Sequence, residues 1–139
     1  MSSEECQDAR FAPEGRPARP RLLVVDEDIA DTCQYCPLLR ESGFEVHCLC
    51  SYSEGADCVC REPVDLVIVS QGSPAFEGRC VVERAIERDR HTPVLVLTRN
   101  VDMNCYIEAM QLGAFDYLEK PVGAQEMLKL VGTHLRSRN

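Results

Sequence analysis

The sequence predicts an α/β protein: a five-stranded parallel sheet with helices on both faces. Three observations predict it. Five short apolar runs, LLVV, FEVHCLC, VDLVIV, TPVLVLT and FDYLE, recur along the chain from Arg21 onward. Each is followed by a stretch that reads as helix, so strands and helices alternate, the pattern of helical crossovers between parallel strands. The first, third and fourth runs are apolar at consecutive positions, as strands covered on both faces are.

The elements follow in order. MSSEECQDARFAPEGRPARP, residues 1 to 20, is polar, carries Pro13, Pro17 and Pro20, and reads as a disordered leader before a single domain over 21 to 139. RLLVVDED is a first strand ending in acids. IADTCQYCPLLRES is a helix in which Pro37 removes an amide donor and should kink it, and Gly43 closes it. FEVHCLC is the second strand. SEGADCVCRE is a short helix with Ser53 as a candidate N-cap. VDLVIV is the third strand, GRCVVERAIERDR an amphipathic helix, and TPVLVLT the fourth strand. VDMNCYIEAMQLG is a helix stopped by Gly113, and FDYLE is the fifth strand. After Lys120-Pro121, AQEMLKLVGTHLRSR is a closing amphipathic helix.

Bulk properties narrow the function classes. The chain has 139 residues, 45% of them hydrophobic, enough for one core. A net charge of −8 and a pI near 4.9 argue against direct nucleic-acid binding, which needs a basic face. No apolar run approaches the ~20 residues that cross a bilayer, and the N-terminus lacks a basic-then-apolar signal. The expected compartment is therefore the cytoplasm, with no membrane partner. Nine cysteines include three close pairs, Cys33/Cys36, Cys48/Cys50 and Cys58/Cys60. The odd count and the sizeable core argue against a disulfide scaffold. Cys33 lies about two turns into its helix, away from the N-terminus that would activate a thiol. Most of the cysteines are read as small core or boundary residues, His91 and His134 as loop and surface residues, and His47 as a strand residue.

In open parallel sheets the site forms beyond the carboxyl ends of the strands. Those ends carry Asp26, Glu27 and Asp28, then Ser70, then Thr98, then Lys120 followed by Pro121. Acids beside a hydroxyl and a lysine are the parts of a pocket for a divalent cation and a phosphate. Each residue also has a plainer reading. The acids could cap the first helix, Thr98 could be an ordinary strand-end residue, Lys120 a surface lysine and Tyr117 a core aromatic.

With these motifs in order and in register, residues 21 to about 137 resemble the receiver domain of bacterial two-component response regulators. LVVDED resembles the acidic-pair strand, and VDLVIVSQGSPAFEG the acceptor strand and loop, with Pro74 and Gly78 at the family's spacing. TPVLVLT resembles the fourth strand with its threonine. EAMQLGAFDYLEKPV is similar to receivers of nitrogen-regulator-type activators. The resemblance implies a flavodoxin-like strand order 2-1-3-4-5 and a signalling module of a phosphorelay, not an enzyme. Asp26 and Glu27 would hold Mg²⁺ with the Gly72 carbonyl, Thr98 and Lys120 would contact a phosphoryl group, and Tyr117 would be the aromatic that turns inward on activation. The fourth helix, fifth strand and fifth helix would meet other signalling proteins or an output domain, and could pair two copies as a homodimer.

The chain departs from the family at one position: Ser70 stands where the family has the aspartate that accepts the phosphoryl group. A carboxylate is anionic at neutral pH; a serine hydroxyl needs a positioned base. Asp65 opens the third strand, near the other end of the sheet, and is no substitute. The expectation is a degenerate receiver that binds Mg²⁺ weakly or not at all, its Lys120 pairing with Asp26 or Glu27. Two alternatives stay open: Ser70 as an unusual phosphoacceptor or enzyme nucleophile with Lys120 as base, and a Cys-based redox or metal sensor.

Overall fold

The computed structural model describes residues 19 to 138. Most of the leader read over residues 1 to 20 lies outside the described residues; Pro20 already belongs to the sheet, its carbonyl accepting from the Glu45 N–H at 2.9 Å.

Among the described residues ten elements alternate: β1 (Arg21–Val25), α1 (Ile29–Glu41), β2 (Glu45–Leu49), α2 (Tyr52–Arg61), β3 (Leu66–Ser70), α3 (Arg79–Arg88), β4 (Val94–Thr98), α4 (Met103–Leu112), β5 (Asp116–Glu119) and α5 (Ala124–Arg138). The strands form one parallel sheet in the order β2-β1-β3-β4-β5. β3 and β4 are buried at every position, and β1 at all but Arg21. Alternate residues feed two cores. Leu23, Val25, Val67, Val69 and Val96 pack against α2, α3 and α4. Leu22, Val24, Leu66, Ile68 and Leu97 pack against α1 and α5. Burial of such side chains contributes ~1.5–3 kcal/mol each relative to exposure. Among the described residues no helix is long and apolar enough to cross a membrane.

The caps explain where the helices begin and end. Asp28 accepts from the Ala30 N–H and starts α1, and Asp102 accepts from the Cys105 N–H and starts α4. Gly113 ends α4 at φ 116°, a left-handed position that glycine adopts without penalty. α1 runs through Pro37, which lies inside the helix and is exposed. The N-cap of α2 is Ser51 and not Ser53. Ser51 has extended backbone and accepts from the Glu54 N–H, while the Ser53 hydroxyl only meets that of Ser51 at 3.1 Å.

Cys58 and Cys105 are buried and Cys36 lies in the core with Cys48 packed against it, as core or boundary residues do, but Cys36 and Cys48 also form a disulfide between α1 and β2, which the sequence reading did not foresee. Cys36 shares the buried face of α1 with Tyr35 and Leu39, and Cys48 lies on the same face of β2 as Val46, so packing α1 on β2 brings the thiols together. Cys33 is exposed and does not share that face. A bond joining residues 12 apart removes ~3 kcal/mol of loop entropy from the unfolded chain. Cys36→Ser, or reduction of the wild type, is expected to lower the unfolding free energy by ~2–3 kcal/mol. Urea denaturation with and without reductant checks this, and the serine variant should show no further response to reductant.

Candidate functional site

Parallel strands place all their carboxyl ends on one edge of the sheet, and backbone hydrogen bonds carry the ladder one residue further. The Asp26 N–H donates to Leu49 O at 3.0 Å, Gln71 N–H to Leu97 O at 2.8 Å, and Lys120 N–H to Thr98 O at 2.7 Å. The first residues beyond β1, β3 and β5 are thereby held as firmly as strand residues. The Lys120–Pro121 peptide bond is cis.

Lys120 is at the centre of the site. Its side chain is 3% exposed, and Nζ lies 2.7 Å from Asp26 Oδ2 and 2.7 Å from Asp31 Oδ2. The other oxygen of Asp26 accepts from the Asp28 N–H at 3.0 Å. The other oxygen of Asp31 meets the Arg99 guanidinium at 2.6 Å, and Arg99 reaches Asp28 at 3.3 Å. Three aspartates and two cations therefore form one connected network. Burial pulls the Lys120 ammonium pKa down, but the bonds to Asp26 and Asp31 outweigh it and the net shift is upward. Glu27 is exposed, its charge acting on the nearby Tyr52 hydroxyl.

Ser70, the last residue of β3, is buried, and its Oγ accepts from the Gly72 N–H at 3.3 Å. The Tyr52 hydroxyl faces this region, buried and with no hydrogen-bond partner among the described residues. Burial pushes its pKa up to about 12; Ser70 opposes that shift, while Glu27, Asp26 and Glu77 add to it.

The loop from Gln71 to Gly78 folds back over the end of β3 and depends on two glycines. Gly72 has φ 83°, and a Cβ there would lie 2.4 Å from Glu77 Oε1. A Cβ on Gly78 would lie 2.1 Å from the Ser70 carbonyl oxygen, so no side chain fits. Glu77 closes the loop by accepting from the Ser73 N–H at 2.7 Å and from the Ser73 hydroxyl, bonds that hold its carboxyl below the usual value.

Thr98 is buried, and its hydroxyl is engaged locally, donating to Asn100 O at 2.9 Å and accepting from the Asn100 N–H at 3.0 Å. Tyr117 is also buried. Its hydroxyl donates to Gln71 Oε1 and accepts from the Asp102 N–H at 3.0 Å, linking β5 to the loop after Ser70 and to the start of α4. Asp65 lies at the far end of the sheet, where its carboxylate accepts from the Arg21 N–H at 2.7 Å. The edge thus brings together Asp26, Ser70, Thr98 and Lys120 and adds Asp31, Arg99, Tyr52 and Gln71, which the sequence reading did not single out. The close cysteine pairs do not converge: Cys33, Cys50 and Cys60 are exposed, and Cys36 is bonded to Cys48.

Comparison with known proteins agrees with this architecture. The family model described as "Response regulator receiver domain" matches residues 22–132. The chain is 31% identical over 124 residues to the response regulator protein PilR of Pseudomonas aeruginosa, covering 88% of this chain and 27% of that protein. It is 31% identical to the transcriptional regulatory protein PrrA of Mycobacterium bovis, covering 86% of this chain and 51% of the other, and 32% identical to the sensor histidine kinase GacS of Pseudomonas protegens, covering 86% and 14%. The chain thus spans about half or less of the length of these relatives. Among solved structures, a CheY-like receiver domain protein from Methanospirillum hungatei superposes with a TM-score of 0.81 at 23% identity, covering 86% of this chain and 96% of that one. A receiver domain protein from Clostridium thermocellum superposes at 0.77 with 28% identity, again covering 86% and 96%. The strand order, the composition of the strand-end edge and the family match together assign this chain to the response regulator receiver domains of two-component systems.

Proposed function

We propose that this receiver domain is not switched by aspartyl phosphorylation and acts by protein–protein contact, with residues 21 to 139 as one receiver-like unit. The observation that carries the reading is the pairing at the strand ends. β3 ends in a neutral hydroxyl, and the lysine that would pair with a phosphoryl group is already held by Asp26 and Asp31. Neither the Tyr52 hydroxyl nor the Lys120 ammonium can serve as a base for Ser70. The Tyr52 hydroxyl is protonated at neutral pH, and Lys120 is kept as an ammonium by its two carboxylates. That argues against the alternative of Ser70 as phosphoacceptor or enzyme nucleophile.

Asp26, Glu27 and the Gly72 carbonyl are the residues that would hold Mg²⁺, whose chemistry would be to neutralise phosphoryl charge. The donor set fits poorly. Asp26 has both oxygens engaged, Glu27 is exposed, and Ser70 supplies no charge where a hard cation wants carboxylate oxygens. We therefore assign Mg²⁺ binding that is weak or absent and derive no step through it. Thr98 and Lys120 keep the phosphate-contact positions, and Tyr117 the switch position, its hydroxyl already tied to the residue after Ser70.

The proposed contact face comprises α4, β5 and α5. α4 and the turn before it expose Val101, Met103, Tyr106 and Ile107, apolar side chains suited to another signalling protein, an output domain or a second copy of this chain. EAMQLGAFDYLEKPV keeps nitrogen-regulator-type activators as the subfamily reading. The proposed location is the cytoplasm, where such thiol pairs are kept reduced and the Cys36–Cys48 bond would stand open.

Incubation with a small phosphodonor and Mg²⁺, followed by intact mass measurement, tests the reading. The expected result is unmodified protein. A stoichiometric adduct mapped to Ser70 would overturn it.

A further inference from the structure

Apart from the strand-end pocket, one other cluster of side chains among the described residues has the composition of a site. His47 projects from β2 toward α2, and Cys58 and Glu62 lie four residues apart at the end of that helix, where the Glu62 N–H caps the Cys58 carbonyl at 2.9 Å. One ligand atom from each of the three lies within 4.8 Å of the others. The His47 Nδ1 to Cys58 Sγ distance is 3.9 Å. A tetrahedral zinc centre, with Zn–S near 2.3 Å and Zn–N near 2.0–2.1 Å, sets these two atoms ~3.6 Å apart. The observed spacing therefore needs to close by a few tenths of an ångström, within reach of a side-chain adjustment.

We propose that His47, Cys58 and Glu62 form a binding site for a divalent cation of the zinc class, tying edge strand β2 to helix α2. The donor set selects the metal. Thiolate with imidazole suits a borderline-soft ion, a single carboxylate completes a three-ligand face, and Mg²⁺ would find only one hard oxygen. Cys58 is buried and His47 exposed, so the metal is held from the protein side and keeps a fourth position open to water.

Arg21 lies beside the site. Its guanidinium is 3.5 Å from Glu62 Oε1 and 3.6 Å from Glu45, and its Nη1 is buried with no hydrogen-bond partner among the described residues. It orients the Glu62 carboxylate as an outer partner of a metal ligand does. Its positive charge, with that of Arg61, also opposes the cation, so the affinity is lower than for the same ligands alone. Burial and then Glu62 hold the Cys58 thiol above its usual pKa. Binding therefore breaks the S–H bond, forms a metal–sulfur bond and releases the proton to solvent.

Cobalt(II) titration of the full chain under a non-thiol reductant tests this, with zinc(II) as competitor. We expect one equivalent of Co²⁺ to produce the near-ultraviolet charge-transfer absorption of a thiolate–cobalt bond, displaced by one equivalent of Zn²⁺. His47→Ala, an exposed change that leaves the fold intact, should weaken Co²⁺ binding by more than ~10-fold. Cys58→Ser should abolish the band, and changing the exposed Cys33, Cys50 and Cys60 together to Ser should leave it in place. Absence of the band at one equivalent, or a band unchanged by His47→Ala, would overturn the proposal.

Discussion

Lys120→Met is expected to cost the domain ~3–5 kcal/mol of unfolding free energy at neutral pH, the range seen when one partner of a buried ion pair is removed. The methionine fills similar volume, so the loss is electrostatic. Asp31 would keep Arg99, but Asp26, 3% exposed, would keep only the Asp28 N–H. A buried carboxylate with a single donor is poorly solvated. The companion variant, in which Asp26→Asn and Asp31→Asn accompany Lys120→Met, should recover most of the loss, because no uncompensated charge then remains inside. The pH dependence has a definite sign. The folded state raises the Lys120 pKa above its ordinary 10.5, so its contribution is fully present below 10.5 and is lost as the pH rises through the higher folded-state value. The gap between wild type and Lys120→Met should therefore hold steady from neutral pH up to 10.5 and narrow above it. Denaturant titrations across pH measure both. A loss under ~1 kcal/mol at pH 7 would mean that the network is solvated as exposed pairs are.

The same network marks the limit of what the sequence could say. β1, β3 and β4 were legible because their residues face two cores in alternation and so are apolar without a break. Asp26, Ser70, Thr98 and Lys120 were legible because parallel strands must end on one edge. Asp31 was not, since an aspartate in the first turn of a helix reads as a charge set against the helix dipole. A signal existed, however: Asp31, Tyr35 and Leu39 recur every four residues on α1 and form its buried face, which places a carboxylate among core positions. The disulfide was hidden for a related reason. Cys36 has the phase of Tyr35 and Leu39, and Cys48 shares a face with Val46, but the pair meets only once α1 is known to pack on β2. Tyr52 reads as an ordinary aromatic at the start of a helix, and its hydroxyl near Ser70 follows from the path of the chain after β2.

Ser70→Asp is expected to make the domain respond to Mg²⁺, which the wild type should not do. The new carboxylate would enter a site 6% exposed, beside the network that holds Asp26 and Lys120. Without cation it adds a like charge that only Lys120 can answer, so the variant should lose ~1–3 kcal/mol, the usual range for an incompletely satisfied buried group. With cation the sign reverses. Asp26 and the new aspartate then offer two hard oxygen donors on one edge, and saturation at about one hundred times the dissociation constant returns ~2.7 kcal/mol. Thermal unfolding against Mg²⁺ concentration should show an upward shift in the variant and none in the wild type. A small phosphodonor should then label the variant alone, since its carboxylate is ionised at neutral pH. The outcome turns on Asp31. In the wild type it holds the ammonium together with Asp26, and for Ser70→Asp to bind a cation and a phosphoryl group, Lys120 must let go of it. If the variant ignores Mg²⁺ while Ser70→Asp combined with Asp31→Asn responds, the Asp31–Lys120 contact is a second lock on the pocket. If both ignore it, the site has diverged beyond position 70, and restoring the acceptor carboxylate cannot restore the chemistry.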